Sequence, residues 1–357
     1  MQNILAQIAK HFRINSSEIR VEPIYHGKQQ KQNVSRLRIG RKSYLLKQHD
    51  ITEPVTKSGF TPFQIEKFTL STLYKGRCLV PRIIWESEQR HALLLEWRGD
   101  QTLDSLAQNE SVSNLMPDLR TILNVFCHIE NVFRKNEAQF KPYVFHFERK
   151  QTLQRLLEQG RKTVGYLEHL SKTSLNSSQI ERLNAAWASL SDRLLTAQPT
   201  LGGLDYQARN IVIDGELPYF IDFGSVGWDW QERRLVQYFN SIGASEEGAN
   251  FVSLLNRELA DVYTAWVTQN RERRASINIA ARVDGHHLLF YLSIVNRILH
   301  AVARPETSEN QILLEAWGDA RLRFQRTISL IINADLSDDV SITQIRKMIR
   351  EFHTNIL

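Results

Sequence analysis

Residues 202 to 225, GGLDYQARNIVIDGELPYFIDFGS, contain two short apolar runs, NIVID and PYFID, joined by the turn GEL. Two such runs on either side of a glycine-containing turn read as a β-hairpin. The surrounding chain has a different period. From about residue 100 onward, apolar residues recur at helical spacing over 112–136, 150–171, 177–196, 246–270, 284–303, 308–332 and 341–354. A hairpin therefore interrupts a helical region, which only a few architectures accommodate.

The first 96 residues have a third texture. VEPIYHG, NVSRLRI and SYLLKQ alternate as a three-strand meander, with a GRK turn before the third strand. TPFQIEKFTLSTLYKG, 61–76, places Phe63, Phe68, Leu70 and Leu73 near helical spacing, with Pro62 at its start and Gly76 at its end. RIIWESEQRHALLLEWRG, 82–99, reads as two strands joined by ESEQR, and the opening MQNILAQIAKHFRI as a short amphipathic helix. The expectation is an α+β chain. A five-stranded antiparallel sheet with one internal helix occupies 1–96, and a larger, mainly helical part occupies 97–357 and carries the hairpin.

Composition narrows the classes of function. The 357 residues are 42% hydrophobic and 24% charged, a globular balance in a chain long enough for two lobes. Apolar runs such as LLL at 93–95 and LII at 330–332 are far too short to cross a bilayer. The N-terminal stretch has neither a long apolar segment nor a small-residue cleavage site, so a cytoplasmic protein without a membrane partner is expected. Cys78 and Cys127 have no nearby Cys or His at zinc spacing and read as reduced, packed thiols. The net charge of +6 is unevenly spread: 30 Lys+Arg against 20 Asp+Glu through residue 210, then 15 against 19. Without an RGG tract, zinc finger or aromatic RNA motif, the basic surplus reads as a solvated surface and not as a nucleic-acid footprint.

The hairpin also carries chemistry. Asp205 precedes the first strand, Asn210 stands at its start and Asp222 ends the second, so one hairpin gathers two carboxylates and an amide oxygen. Singly, each is an ordinary turn or cap residue. Together they supply oxygen ligands for Mg²⁺ and a separate carboxylate to face a hydroxyl. D-x-x-x-x-N followed by D-F-G matches the catalytic and metal loops of kinase-fold phosphotransferases. Lys47, in the third strand, stands where such folds keep a phosphate-binding lysine, and the following helix bears Glu66, which can hold its ammonium.

On these residues the chain resembles the aminoglycoside phosphotransferase and choline kinase-like family, small-molecule kinases of the protein-kinase fold, from about residue 20 to 330. The resemblance implies a bilobal protein-kinase-like fold. It further implies that Lys47 binds phosphate, Glu66 orients it, Asp205 is the catalytic base, and Asn210 and Asp222 hold Mg²⁺. LLLEWRGDQTL, 93–103, is similar to the family's hinge, with the backbone of Glu96 and Trp97 receiving the base of ATP or GTP; Gly27 and its neighbours in YHGKQQKQN would cover the phosphates. The implied partner is a small molecule bearing a hydroxyl, such as an aminoglycoside, a sugar, an amino alcohol or a natural product. Asp229 and Glu232 are candidates to attract a cationic acceptor. Nucleotide choice, acceptor identity and a monomeric or homodimeric state stay open.

Two positions depart from the family's pattern. Gly203 replaces the His usual two residues before the catalytic Asp, and Arg234 precedes Leu235 where an Asp-Leu pair often anchors the loop. A nucleotide-binding pseudokinase is therefore an alternative. A protein kinase is the other, but the short SVGWDW after D-F-G leaves no room for a long activation segment. His286 and His287 lie in an apolar helical stretch and read as packed. RERRAS, 271–276, reads as an exposed charged loop, and Trp228 and Trp230 as packing beneath the catalytic loop or lining the acceptor site.

Overall fold

The computed structural model describes residues 2–26, 29–145, 149–243, 248, 250–270 and 278–356. They form two compact units. One comprises Met1–Leu106, Asn124–Phe147 and Leu201–Trp228; the other comprises Ala107–Leu123, Glu148–Thr200 and Asp229–Leu357.

The first unit contains the expected sheet. Helix α1 (Gln2–Phe12) precedes β1 (Ile19–His26), β2 (Gln29–Ile39) and β3 (Lys42–Gln48); α2 (Pro62–Lys75) then leads to β4 (Ile83–Ser87) and β5 (Ala92–Glu96). All pairings are antiparallel, in the order β1-β2-β3-β5-β4. Alternation along β3 decides what each sheet face meets. Tyr44 and Leu46 join Leu37, Ala92 and Leu94 in a core covered by Ile4 and Ile8 of α1. Lys47 is thereby turned to the opposite face, toward α2.

Helix α2 begins where its chemistry says it should. Thr61 accepts from the Gln64 amide at 3.4 Å, and the Gln64 side chain accepts from the Thr61 amide at 3.0 Å, a capping box followed directly by Pro62. Phe63, Ile65, Glu66, Thr69, Leu70 and Leu73 are buried, so a carboxylate sits in an otherwise apolar and hydroxyl-bearing face. Cys78 and Cys127 are free, buried thiols, and burial pushes Cys78 up to about 12. They are packing residues.

The hairpin belongs to the same unit as the sheet. Strand β6 (Gln101–Thr102) pairs with β8 (Ile211–Asp214), which pairs with β9 (Leu217–Phe220); β7 (Thr200–Gly203) and β10 (Val226–Asp229) form a ladder of their own at the hairpin's base. Gly99 is required here. Its φ is 102°, and a Cβ would lie 3.1 Å from the Ile213 carbonyl oxygen, so the link after β5 passes hard against the hairpin backbone.

Helices α3 (Leu103–Asn109), α4 (Val112–Lys135) and α5 (Glu137–Phe140) follow β6, while α6 (Arg149–Ser171), α7 (Ser177–Thr196), α8 (Gln231–Tyr238), α9 (Arg257–Asn270), α10 (Ile279–Ala303), α11 (Ser308–Trp317), α12 (Ala320–Ile332) and α13 (Val340–Ile356) lie in the second unit. There, buried residues of α10 such as Leu288, Leu292 and Val295 share a core with Trp187 and Leu190 of α7 and Ile345 and Ile349 of α13. Two helical expectations are corrected. Among the described residues of 246–270, the helix begins at Arg257: Val252–Ser253 (β12) pairs with Asn240–Ser241 (β11), and Asn256 caps α9 by accepting from the Leu259 amide at 3.0 Å. The run 308–332 is two helices, because Gly318 turns left-handed at φ 68° and Asp319 caps a new start, accepting from Leu322 at 3.0 Å. Periodicity alone does not register a break of two residues. No described helix is long and apolar enough to cross a membrane.

Candidate active site

Strand β3, helix α2 and the end of the hairpin converge on one ammonium. Lys47 Nζ lies 2.9 Å from Glu66 Oε1, 2.8 Å from Glu66 Oε2 and 2.7 Å from Asp222 Oδ1. Exposure is graded across the trio: the Lys47 side chain is 17% exposed, Glu66 0% and Asp222 39%, so the group opens to solvent on the Asp222 side. Burial alone would lower the Lys47 pKa and raise that of Glu66. The charge pairing overrides both, holding Lys47 above and Glu66 well below their usual ranges. The ammonium is kept charged in a low-dielectric place where it attracts anions strongly.

A local backbone twist aims Asp222. Pairing along β9 ends at Phe220, and Asp222 takes φ 68°, a left-handed conformation that Asp tolerates better than most residues. This turns its carboxylate toward Lys47. Phe223 is buried and covers Gly203, whose Cβ, if present, would lie 3.3 Å from the ring. Gly203 is thus the residue that fits under Phe223, and a histidine there would displace the ring. The loop lacks a histidine brace but has others: Leu204 donates its amide to Ser225 O at 3.0 Å, and Asn210 Nδ2 donates to the Asp205 carbonyl at 2.8 Å.

Asp205 is half-buried, and its Oδ1 accepts from Gln207 Nε2 at 2.6 Å. Gln207 was invisible in sequence as a site residue, since a Gln between Tyr and Ala carries no pattern. Asn210 is brought beside Asp222 by the ladder: Ile221 donates to the Asn210 carbonyl at 2.9 Å, one residue before Asp222. Because Asn210 uses Nδ2 on Asp205, its amide oxygen is the atom turned to other work. An amide oxygen and a partly exposed carboxylate, on Asn210 and on the residue after its backbone partner Ile221, are the donor types that suit a hard, oxygen-seeking cation such as Mg²⁺.

At the end of β5, the Glu96 amide donates to the Arg82 carbonyl at 3.0 Å, and its carboxylate is bound by Arg98. The Trp97 ring lies under the Arg36 guanidinium at 4.5 Å. Gly27 lies outside the described residues, as does RERRAS.

Asp229 and Glu232 lie in the second unit and are only 1% and 3% exposed. Asp229 accepts from the Trp230 amide at 2.8 Å and pairs with Arg233; Glu232 accepts from Arg282 at 2.8 Å. Neither is a surface carboxylate, and their charges are taken up by arginines. Arg234, the other departure from the family's pattern, is 1% exposed and donates to the carbonyls of Thr200 at 3.2 Å and Asp229 at 3.1 Å. It ties together the two chain ends from which 201–228 leaves. Trp230 Nε1 donates to Ala197 O at 2.9 Å, a packing role. His286 and His287 are buried in α10, and desolvation holds their imidazoles down to about 4 and about 3, so both are neutral at physiological pH. Replacing Glu232 by Ala leaves buried Arg282 without this carboxylate; a loss of roughly 3–5 kcal/mol in chemical unfolding is expected. A loss below about 1 kcal/mol, the scale of an exposed pair, would show that the pair is not structural.

No protein-family model and no curated protein matches the sequence. Its fold, however, is similar to that of solved structures. A candidate aminoglycoside phosphotransferase of Ralstonia eutropha JMP134 is 12% identical, with 98% of each chain covered and a TM-score of 0.53. A choline kinase of Cryptosporidium parvum Iowa II is 12% identical, with 92% of this chain and 94% of that chain covered and a TM-score of 0.50. The chain has a kinase-like fold. At such identity the likeness shows the fold, with the small antiparallel sheet and the mainly helical remainder that the sequence leads one to expect. In the kinase-like frame, Lys47, Glu66 and Asp222 are the residues whose placement is most distinctive.

Proposed function

We propose that this protein is a small-molecule kinase that transfers the γ-phosphoryl group of ATP or GTP to an alcohol. The observation that carries the reading is the capture of Lys47 Nζ between buried Glu66 and partly exposed Asp222. A lysine fixed and kept charged at the open end of a buried pair can neutralise phosphate oxygens without reorganising. Asp205 orients the acceptor hydroxyl through the carboxylate oxygen that Gln207 leaves available, and takes its proton as the phosphoryl group departs the nucleotide. Asn210 and Asp222 would hold Mg²⁺, which supplies charge neutralisation on the phosphates when bound. The Glu96 amide donates to the Arg82 carbonyl, so in this reading the backbone amide of Trp97 would be the donor to the nucleotide base.

A small-molecule acceptor is favoured over a protein because α8 begins at Gln231, leaving only 225–230 after D-F-G. That span cannot form an activation segment. The nature of the acceptor is not narrowed by Asp229 and Glu232, whose carboxylates are occupied.

Nucleotide binding is the first test. Mg²⁺ with ATP or GTP at about 100 times its dissociation constant is expected to stabilise the protein by about 2.7 kcal/mol, read as a rise in melting temperature that EDTA diminishes. No rise at millimolar nucleotide would remove the kinase and the pseudokinase readings together. Phosphorylation of a component in a fractionated metabolite extract, followed with labelled ATP, would then identify the acceptor and separate the enzyme from the pseudokinase.

A further inference from the structure

The residue that follows β3 brings a second basic side chain to Glu66. His49 lies one position past the strand's last residue, Gln48, and two beyond Lys47. Its Nε2 is 2.9 Å from Glu66 Oε2, and its side chain is 7% exposed. The atoms are at hydrogen-bond distance but not in hydrogen-bond alignment, so the attraction is chiefly that of an N–H dipole or cation for a carboxylate. The ring is held by its surroundings. The His49 amide donates to the His91 carbonyl at 2.9 Å, Phe63 presents an edge at 6.1 Å, and Gly224 of D-F-G is close enough that a Cβ there would stand 3.6 Å from His49 Cε1.

A fully buried carboxylate is costly unless several donors satisfy it. Lys47 approaches both oxygens of Glu66 but is also drawn to Asp222, 2.7 Å away. A lysine so shared cannot by itself define the rotamer of Glu66. We propose that His49 is a positioning residue: it steadies the Glu66 carboxylate at Oε2, an oxygen that Lys47 also approaches, and through it sets where the ammonium meets the nucleotide. The role acts on the phosphate-binding site through Glu66 and rests on the kinase reading above.

The test is a double-mutant cycle on the full chain, read by calorimetric titration with Mg²⁺·ATP and by thermal unfolding without nucleotide. His49→Leu keeps the bulk of the ring and removes the donor; His49→Gln keeps a donor at nearly the same reach. Removing the N–H that lies nearest one oxygen of a buried carboxylate is expected to weaken ATP binding roughly tenfold in His49→Leu, whereas His49→Gln stays within about threefold by retaining an N–H at that place. In a Glu66→Gln background, His49→Leu should add less than about twofold, because the partner it acts through is already altered. A ring that merely packs on Phe63 would cost the same in both backgrounds, and equal losses in His49→Leu and His49→Gln would point the same way; either result overturns the proposal. ATP binding unaffected by His49→Leu overturns it as well. Wild-type protein that binds no ATP instead overturns the kinase reading, and the unfolding cycle then reports whether His49 and Glu66 are coupled in the fold alone.

Discussion

Replacing Asp205 by alanine is expected to lower turnover on an identified acceptor by roughly 10² to 10⁴-fold, the usual scale for losing a positioned general base, with nucleotide affinity nearly unchanged. The two quantities separate because of how Asp205 is held. Its peptide carbonyl is bound by Asn210 and one carboxylate oxygen by Gln207. The Lys47, Glu66 and Asp222 cluster, proposed to bind the phosphates, makes no use of it. Steady-state turnover and nucleotide titration on the same preparation check the result. Equal activity of wild type and Asp205→Ala would take the catalytic role away from Asp205, and a joint fall in melting temperature and nucleotide affinity would make it a structural loop residue.

Asp222→Asn is expected to reduce transfer by roughly 10³-fold or more, since several kcal/mol of charge stabilisation are lost and each 1.4 kcal/mol is a factor of ten. The substitution keeps the shape of the side chain and the left-handed φ of 68°, which Asn also tolerates. What it removes is the anion. Lys47 Nζ then loses one of its two carboxylate partners, and the oxygen pair with Asn210 loses its only formal charge. Mg²⁺-dependent nucleotide stabilisation should fall with activity while the melting temperature of the nucleotide-free protein changes little. Undiminished dependence on Mg²⁺ in the variant would exclude Asp222 from metal binding.

The parts of the candidate site that are legible in sequence are those whose positions are tied to local patterns. Lys47 sits in a strand whose alternation places Tyr44 and Leu46 on the other face, so its direction follows from parity alone. Glu66 lies four residues into a helix opened by Thr61 and Pro62, both of which are readable signals. Asn210 and Asp222 bracket a hairpin, and hairpin pairing brings its two ends together whatever surrounds it. Asp229 and Glu232 read from sequence as candidates for an acceptor site because sequence shows their charge and not their partners. Their arginines, Arg233 and Arg282, include one 50 residues away in α10.

By itself, then, the sequence determined the strands of the five-stranded sheet, most of the helices, the parity of β3, the hairpin and the residue types available for chemistry, all of which arise from interactions between near neighbours in the chain. Only the tertiary structure decided which of those residues meet. It brought Asp222 to Lys47 across 175 positions of sequence, set His49 against Glu66, slid Phe223 over Gly203, and buried Arg234 between Thr200 and Asp229. Side-chain charge is written locally. Whether that charge is solvated, paired or held open for a ligand depends on contacts between distant segments, and those form only when the core closes.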